Sequence, residues 1–200
     1  MQALVIATHN QHKTEEIRAI LGPYFSEIKD LTSYPEIPPA DETGTTFEEN
    51  AGIKALEASR VLGEGVSVLS DDSGIEVDAL DGAPGVYSAR YSGEGATDES
   101  NRVKLLAELE KVGARGKERS GRFRCVMVLA SGGEKIAVFD GAVEGTIINE
   151  EKGEGGFGYD PIFVPDGYCE TFGQLSSEVK NKESHRARAL AKAIEYFGRA

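Results

Sequence analysis

Nothing in this chain narrows its architecture as much as the apolar run near its start, Ala3-Leu4-Val5-Ile6-Ala7, which stops abruptly at Thr8-His9-Asn10-Gln11-His12-Lys13. A run without polar alternation is the pattern of a strand covered on both faces, which calls for helices on each side of a sheet. A helix is predicted next, because Ile17, Ile20 and Leu21 fall at i, i+3 and i+4 and Gly22-Pro23 supplies the stop. The loop between them therefore presents Thr8, Asn10 and Lys13 at a helix N-terminus, where unpaired N–H groups and the helix dipole favour an anion. It reads equally as an Asn-capped turn and as a phosphate cradle without the glycines of a P-loop.

A second apolar run, residues 66–69, ends in Ser70-Asp71-Asp72-Ser73-Gly74. Two adjacent carboxylates among hydroxyls and a permissive glycine suit a divalent metal held over phosphate, although D-D-S-G by itself reads first as an Asx-turn at a strand end. Neighbouring side chains on an extended backbone point to opposite faces, so Asp71 and Asp72 are not expected to share a ligand. One of them is expected to engage the backbone instead.

Between these runs, residues 26–31 read as a strand, followed by a proline-containing loop to Asp41-Glu42-Thr43-Gly44. A strong helix then begins: Thr46 and Glu49 have capping-box spacing, and Phe47, Ala51, Ala55, Ala58 and Leu62 form an apolar stripe ended by Gly63. Asn50 and Lys54 lie one turn apart on its polar edge, where Asn50 reads as a solvated or locally bonded residue and Lys54 as a candidate ligand contact. Further on, Gly82-Ala83-Pro84-Gly85 reads as a tight turn, and Tyr87, Arg90 and Tyr91 as scaffold or subunit contact. Thr97 or Asp98 can cap a helix carrying Leu105, Leu106, Leu109 and Val112. An antiparallel hairpin turns at Ser131-Gly132-Gly133-Glu134, with Cys125 as a core thiol. G-G-F-G-Y-D reads either as a flexible loop or as a place where the glycines at 155, 156 and 158 let the backbone approach a planar base while Phe157 stacks on it, and the interleaved aromatics closed by Asp-Pro favour the second. Residues 176–185 lead into a final helix with Lys180, His185 and Arg186 near its start. Basic residues there oppose the dipole, so an anion or a carbonyl is expected beside them.

Composition bounds the function. Two hundred residues, 40% of them apolar, suit one domain or two joined lobes, and a net charge of -12 argues against holding a nucleic-acid backbone by bulk charge. Cys125 and Cys169 are far apart with no C-x-x-C spacing, which points to a reducing compartment and no structural zinc. No apolar run approaches the ~20 residues of a membrane span, so a soluble, cytoplasmic protein is expected.

Four stretches in order, Thr8 to Lys13, Asp41 to Lys54, Ser70 to Gly93 and Phe157 to Arg186, resemble the inosine triphosphate pyrophosphatase family, which hydrolyses non-standard purine nucleoside triphosphates before they enter nucleic acid. The resemblance implies an α/β fold, with a long mixed central sheet flanked by helices. It implies a single domain over residues 1–200, two lobes around a nucleotide-binding cleft, and a homodimer. It makes Glu42 and Asp72 ligands of Mg2+, Asp72 the general base, and Thr8, Asn10, Lys13, Lys54 and Ser73 substrate contacts. Phe157, Gly158, Tyr159 and Asp160 become the base platform, and Lys180, His185 and Arg186 the remaining contacts. It also implies attack at the α-phosphorus of ITP, dITP or XTP, releasing the monophosphate and pyrophosphate. A 6-oxopurine would take hydrogen bonds from Arg186 and His185 at its oxo group and give one to Asp160 from N1–H. Adenine reverses both, leaving buried groups unpaired at about 1–3 kcal/mol each. Two alternatives stand beside this: a related pyrophosphatase for pyrimidine or methylated nucleotides, and a nucleotide-binding regulator without turnover.

Overall fold

The computed structural model describes residues 3–199. Strand β1 (Ala3–Ile6) is buried at Leu4, Val5 and Ile6, as its unbroken apolar run requires. It lies between two parallel neighbours, β2 (Glu27–Asp30) with Leu4 opposite Ile28, and β3 (Ser67–Val77) with Ile6 opposite Leu69. Parallel neighbours need crossover connections, and helices α1 (Gln11–Leu21) and α2 (Phe47–Leu62) lie in them. Strands β4 (Ser120–Ser131) and β5 (Glu134–Ile147) form the expected hairpin, and β6 (Phe163–Pro165) pairs antiparallel with the end of β5. The result is one mixed six-stranded sheet in the order β2-β1-β3-β4-β5-β6. Helices α3 (Asp98–Lys111), α4 (Ser177–Glu183) and α5 (His185–Phe197) complete the α/β architecture.

The chain divides into two compact units, the first comprising Met1–Asp72, Cys125–Gly141 and Arg186–Ala200, the second Ser73–Arg124 and Ala142–His185. In the first, Leu4, Ile6 and Leu69 of the sheet pack with Ile17 and Leu21 of α1, Met127 and Leu129 of β4, and Leu190 and Ala193 of α5. In the second, Ile75 and Val77 meet Leu105 and Leu109 of α3 and an aromatic group in which the Phe123 and Phe163 rings sit 4.7 Å apart, edge to face.

The structure departs from the sequence reading in three places. Strand β3 does not end at Leu69: residues 70–74 continue it to Val77. A polar tract can stay in a buried strand because its side chains find partners, beginning with Ser70, whose hydroxyl donates to the Ala51 carbonyl at 2.5 Å. The residues leading into the last helix are themselves a helix, α4, separated from α5 by the extended Ser184. Val112, expected on the apolar stripe of α3, is 54% exposed beyond its end.

Gly145 pairs with Pro165, and a Cβ there would stand 2.3 Å from the Val164 carbonyl oxygen and 2.6 Å from the Phe163 ring. Gly145→Ala is therefore expected to cost about 1–3 kcal/mol of stability, read from urea unfolding, through overpacking at the β5–β6 pair.

Candidate active site

The first unit gathers the charged candidate residues of the first three sequence stretches, Lys13, Glu42, Lys54, Asp71 and Asp72. Thr8 and Asn10 build the turn that starts α1: the Thr8 hydroxyl oxygen accepts from the Asn10 N–H at 3.1 Å, and the Asn10 side chain accepts from the Lys13 N–H at 3.3 Å. The cap holds Lys13 so that its Nζ lies 3.2 Å from Asp71 Oδ1. Asp71 also receives the Nη2 of Arg186 at 2.8 Å and its Nε at 3.3 Å, while Nη1 of the same guanidinium pairs with Glu16, one turn beyond Lys13 on α1. Burial pushes the Asp71 carboxyl up, but Lys13 and Arg186 overcome it and hold the group well below the usual carboxylate range. Cys125 lies 3.9 Å away from that carboxylate, and burial with Asp71 beside it pushes the thiol far up, so it is inert packing.

Asp72, the next residue, faces the other side of β3. Its Oδ1 accepts from Lys54 Nζ at 2.9 Å and its Oδ2 from the Asn50 amide at 3.4 Å. The same Lys54 ammonium reaches Glu42 at 2.8 Å, so the lysine bridges the two carboxylates. Burial pulls Lys54 down, but Asp72, Asp71 and Glu42 together keep it above an ordinary lysine. For Asp72 burial prevails over Lys54 and Lys13, and its carboxyl is raised. Adjacent aspartates thus hold protons oppositely, because one meets two cations on the fully buried side and the other shares one lysine with Glu42.

Among the described residues no group of three or more His, Cys, Asp or Glu side chains forms a metal cage. Glu42 and Asp72 still supply the hard-oxygen donor set of a cation that fills its shell with water and substrate phosphate, so the pair fits magnesium.

The second unit holds the residues expected to form the base platform, and Ser73, which is half-buried on β3. Asp160 is 3% exposed, and its Oδ2 accepts from the Phe157 N–H at 2.8 Å and from Lys180 Nζ at 2.5 Å. The Lys180 ammonium also lies 4.6 Å from the centre of the Phe157 ring. Gly156 is fixed by this carboxylate, since a Cβ there would lie 2.1 Å from Asp160 Oδ2 at a backbone φ of 73°. Tyr159 is 4% exposed in the apolar core, and its hydroxyl donates to the Ser88 carbonyl at 2.7 Å.

Several expectations are revised by these positions. Both aspartates are side-chain ion-pair partners, Asp71 of Lys13 and Arg186 and Asp72 of Lys54. Tyr159, expected in the base platform, is buried in the apolar core and anchored through its hydroxyl. Lys180, His185 and Arg186 meet different partners, Lys180 pairing with Asp160. His185 stacks on Phe123 at 4.8 Å and 11°, whereas Arg186, 1% exposed, has all three guanidinium nitrogens on carboxylates of the first unit. The anion expected beside this basic helix start is the chain's own Asp71 and Glu16. Asn50, read as solvated or locally bonded, is fully buried, accepting from the Gly44 N–H at 2.8 Å as it donates to Asp72. The missed signal was its spacing: three residues after Phe47 and one before Ala51, it lies on the buried stripe, where a polar side chain needs a partner.

The two aspartates should separate stability from activity. Asp71→Asn leaves buried cations without their counter-charge and is expected to cost about 3 kcal/mol at pH 7 in urea unfolding, against less than about 1 kcal/mol for Asp72→Asn. Because the folded-state pKa of Asp71 is depressed, its ionisation stabilises the protein above the unfolded value of 3.8. The gap between wild type and Asp71→Asn should therefore narrow as pH falls below that value.

A family model described as the Ham1 family matches residues 4–196. The dITP/XTP pyrophosphatase of Geobacter sulfurreducens is 48% identical over 198 residues, covering 99% of this chain and 98% of that protein. The dITP/XTP pyrophosphatase of Desulfotalea psychrophila is 49% identical, covering 94% of this chain and 82% of that protein. Among solved structures, a HAM1 protein from Coxiella burnetii superposes with a TM-score of 0.89 at 36% identity over 100% of both chains. A nucleoside-triphosphatase / dITP/XTP pyrophosphatase from Mycobacterium abscessus reaches 0.75 at 39% identity, covering 96% of this chain and 99% of that one. Agreement over nearly the whole length, in sequence and in fold, places this chain in the Ham1 family.

Proposed function

We propose that this protein is a magnesium-dependent nucleoside triphosphate pyrophosphatase that hydrolyses non-standard purine nucleotides, ITP, dITP and XTP, to the monophosphate and pyrophosphate. The observation that carries the reading is Asp72, a buried carboxylate with a raised proton affinity, set between Lys54 and Asn50 and sharing that lysine with Glu42. The names of the full-length relatives support the same activity. A bound magnesium ion, held by Glu42 and Asp72, would neutralise charge on the phosphate oxygens. Asp72 accepts a proton from the attacking water as the water oxygen bonds to the α-phosphorus and the bond to the α–β bridging oxygen breaks. Lys13 and Lys54 offset the charge of the triphosphate, and Thr8 and Asn10 at the start of α1 and Ser73 on β3 hold its oxygens.

The base is read by the second unit's residues. A 6-oxopurine stacks on Phe157 at Gly158, and the Lys180–Asp160 pair supplies one donor and one acceptor to its oxo group and N1–H. Adenine, with donor and acceptor reversed, leaves both unsatisfied. His185 and Arg186 serve this reading as supports, the first lying against Phe123 and the second fixing Asp71 and thereby Lys13. Residues 1–200 act as one catalytic domain of two units, working as a homodimer in the cytoplasm. The unbridged Cys125 and Cys169 suit that compartment, and no helix among the described residues is long and apolar enough to cross a membrane.

Incubation with magnesium and ITP, XTP, dITP, ATP, GTP, CTP or UTP, with pyrophosphate and orthophosphate separated, tests the reading. ITP, dITP and XTP should release pyrophosphate at least about tenfold faster than ATP, and Asp72→Asn should lower kcat by about 10²–10⁴-fold. Orthophosphate release, or equal turnover of ATP, would overturn it.

A further inference from the structure

The loop carrying Phe157 is rich in glycine, and such a backbone does not choose one conformation unaided. In this protein helix α3 chooses it. The Gly158 N–H donates to Asp98 Oδ2 at 2.7 Å, and the Gly158 carbonyl accepts from Arg102 Nη1 at 2.7 Å. Asp98 and Arg102 are one helical turn apart, so a single face of α3 grips both polar groups of one peptide residue held at a φ of 60°. The remaining nitrogens of Arg102 lie 2.8 and 2.9 Å from the two carboxylate oxygens of Glu151, near the start of the same loop. One arginine thereby ties the loop's two ends together, while Phe157 is fastened within it through Asp160. Asp98 does not cap α3, a role taken by Thr97.

We infer that Asp98 and Arg102 are positioning residues that determine base specificity by holding Gly158, and with it the Phe157 ring, at the height a stacked purine requires. The inference rests on the reading of Phe157 as the base platform. It also makes a distinction: the clamp belongs to the second unit, whereas Lys13, Lys54, Glu42 and Asp72 belong to the first. Loss of the clamp should weaken recognition of the base and spare recognition of the phosphates.

The test compares the full-length wild type with Asp98→Ala, Asp98→Asn and Arg102→Ala. It measures kcat and KM for ITP and ATP, and the inhibition constant of inorganic tripolyphosphate, a probe without a base. Asp98→Ala and Arg102→Ala should each raise KM for ITP about tenfold and lower the ITP-to-ATP ratio of kcat/KM, with kcat within about twofold. The tripolyphosphate inhibition constant should stay within about twofold in every variant. Asp98→Asn keeps an oxygen that accepts from the Gly158 N–H and should restore most of the wild-type KM. An unchanged KM for ITP in Asp98→Ala overturns the inference. So does a tripolyphosphate constant that rises in step with KM, which would mean general structural damage. Failure of the wild type to prefer ITP over ATP would show before any variant is compared; it would remove the base platform, and the clamp's role with it.

Discussion

The chemistry in the first unit depends on a carboxylate that water does not reach. Asp71 is 1% exposed, and taking a charge so far from solvent costs several kcal/mol unless cations answer it at close range. Lys13 and Arg186 do so from two helices, α1 and α5, so both are tied to the same residue of β3. The lysine expected to meet phosphate is thereby oriented in advance, with little side-chain entropy left to lose. The same network explains why Arg186 opens α5 against the helix dipole, since its pairing with Asp71 and Glu16 offsets a dipole term of up to about 2 kcal/mol.

Strand geometry turns one neighbouring pair of identical residues into two different groups. Asp71 and Asp72 point to opposite faces of β3. The first is charge-balanced and structural. The second shares a lysine with Glu42, keeps a raised proton affinity, and has each oxygen within reach of one donor, Lys54 or Asn50. Asn50 also holds Gly44, two residues beyond Glu42, so both carboxylates are referred to the same turn of α2. A general base needs that combination of fixed position and moderate proton affinity.

The second unit fixes its loop by different means. There the constraint is a set of hydrogen bonds to backbone groups, with Asp160 accepting from the Phe157 N–H, Asp98 accepting from the Gly158 N–H, Arg102 donating to the Gly158 carbonyl, and the Tyr159 hydroxyl anchored on Ser88. Glycine permits the path, and the side chains select it. Residues held by several such bonds keep a defined position, which is what the proposed base platform requires.

Much of this was legible in the chain itself. The unbroken run at Leu4, Val5 and Ile6 demanded a strand covered on both faces, and the Thr46–Glu49 capping box set the start of α2; both are local patterns whose physics is complete within a few residues. The order of the four motif stretches carried the family. What only the tertiary structure decided were the partners. That β3 runs on through Ser70-Asp71-Asp72-Ser73, that Arg186 faces Asp71 while its neighbour His185 lies on Phe123, and that Asn50 is buried all depend on residues distant in sequence. A charge or an amide can sit in a strand or on a buried stripe once a partner arrives to satisfy it, and sequence spacing does not encode which partner that is. Local periodicity therefore determined the elements, and the cost of burying unpaired polar groups determined how their side chains were matched.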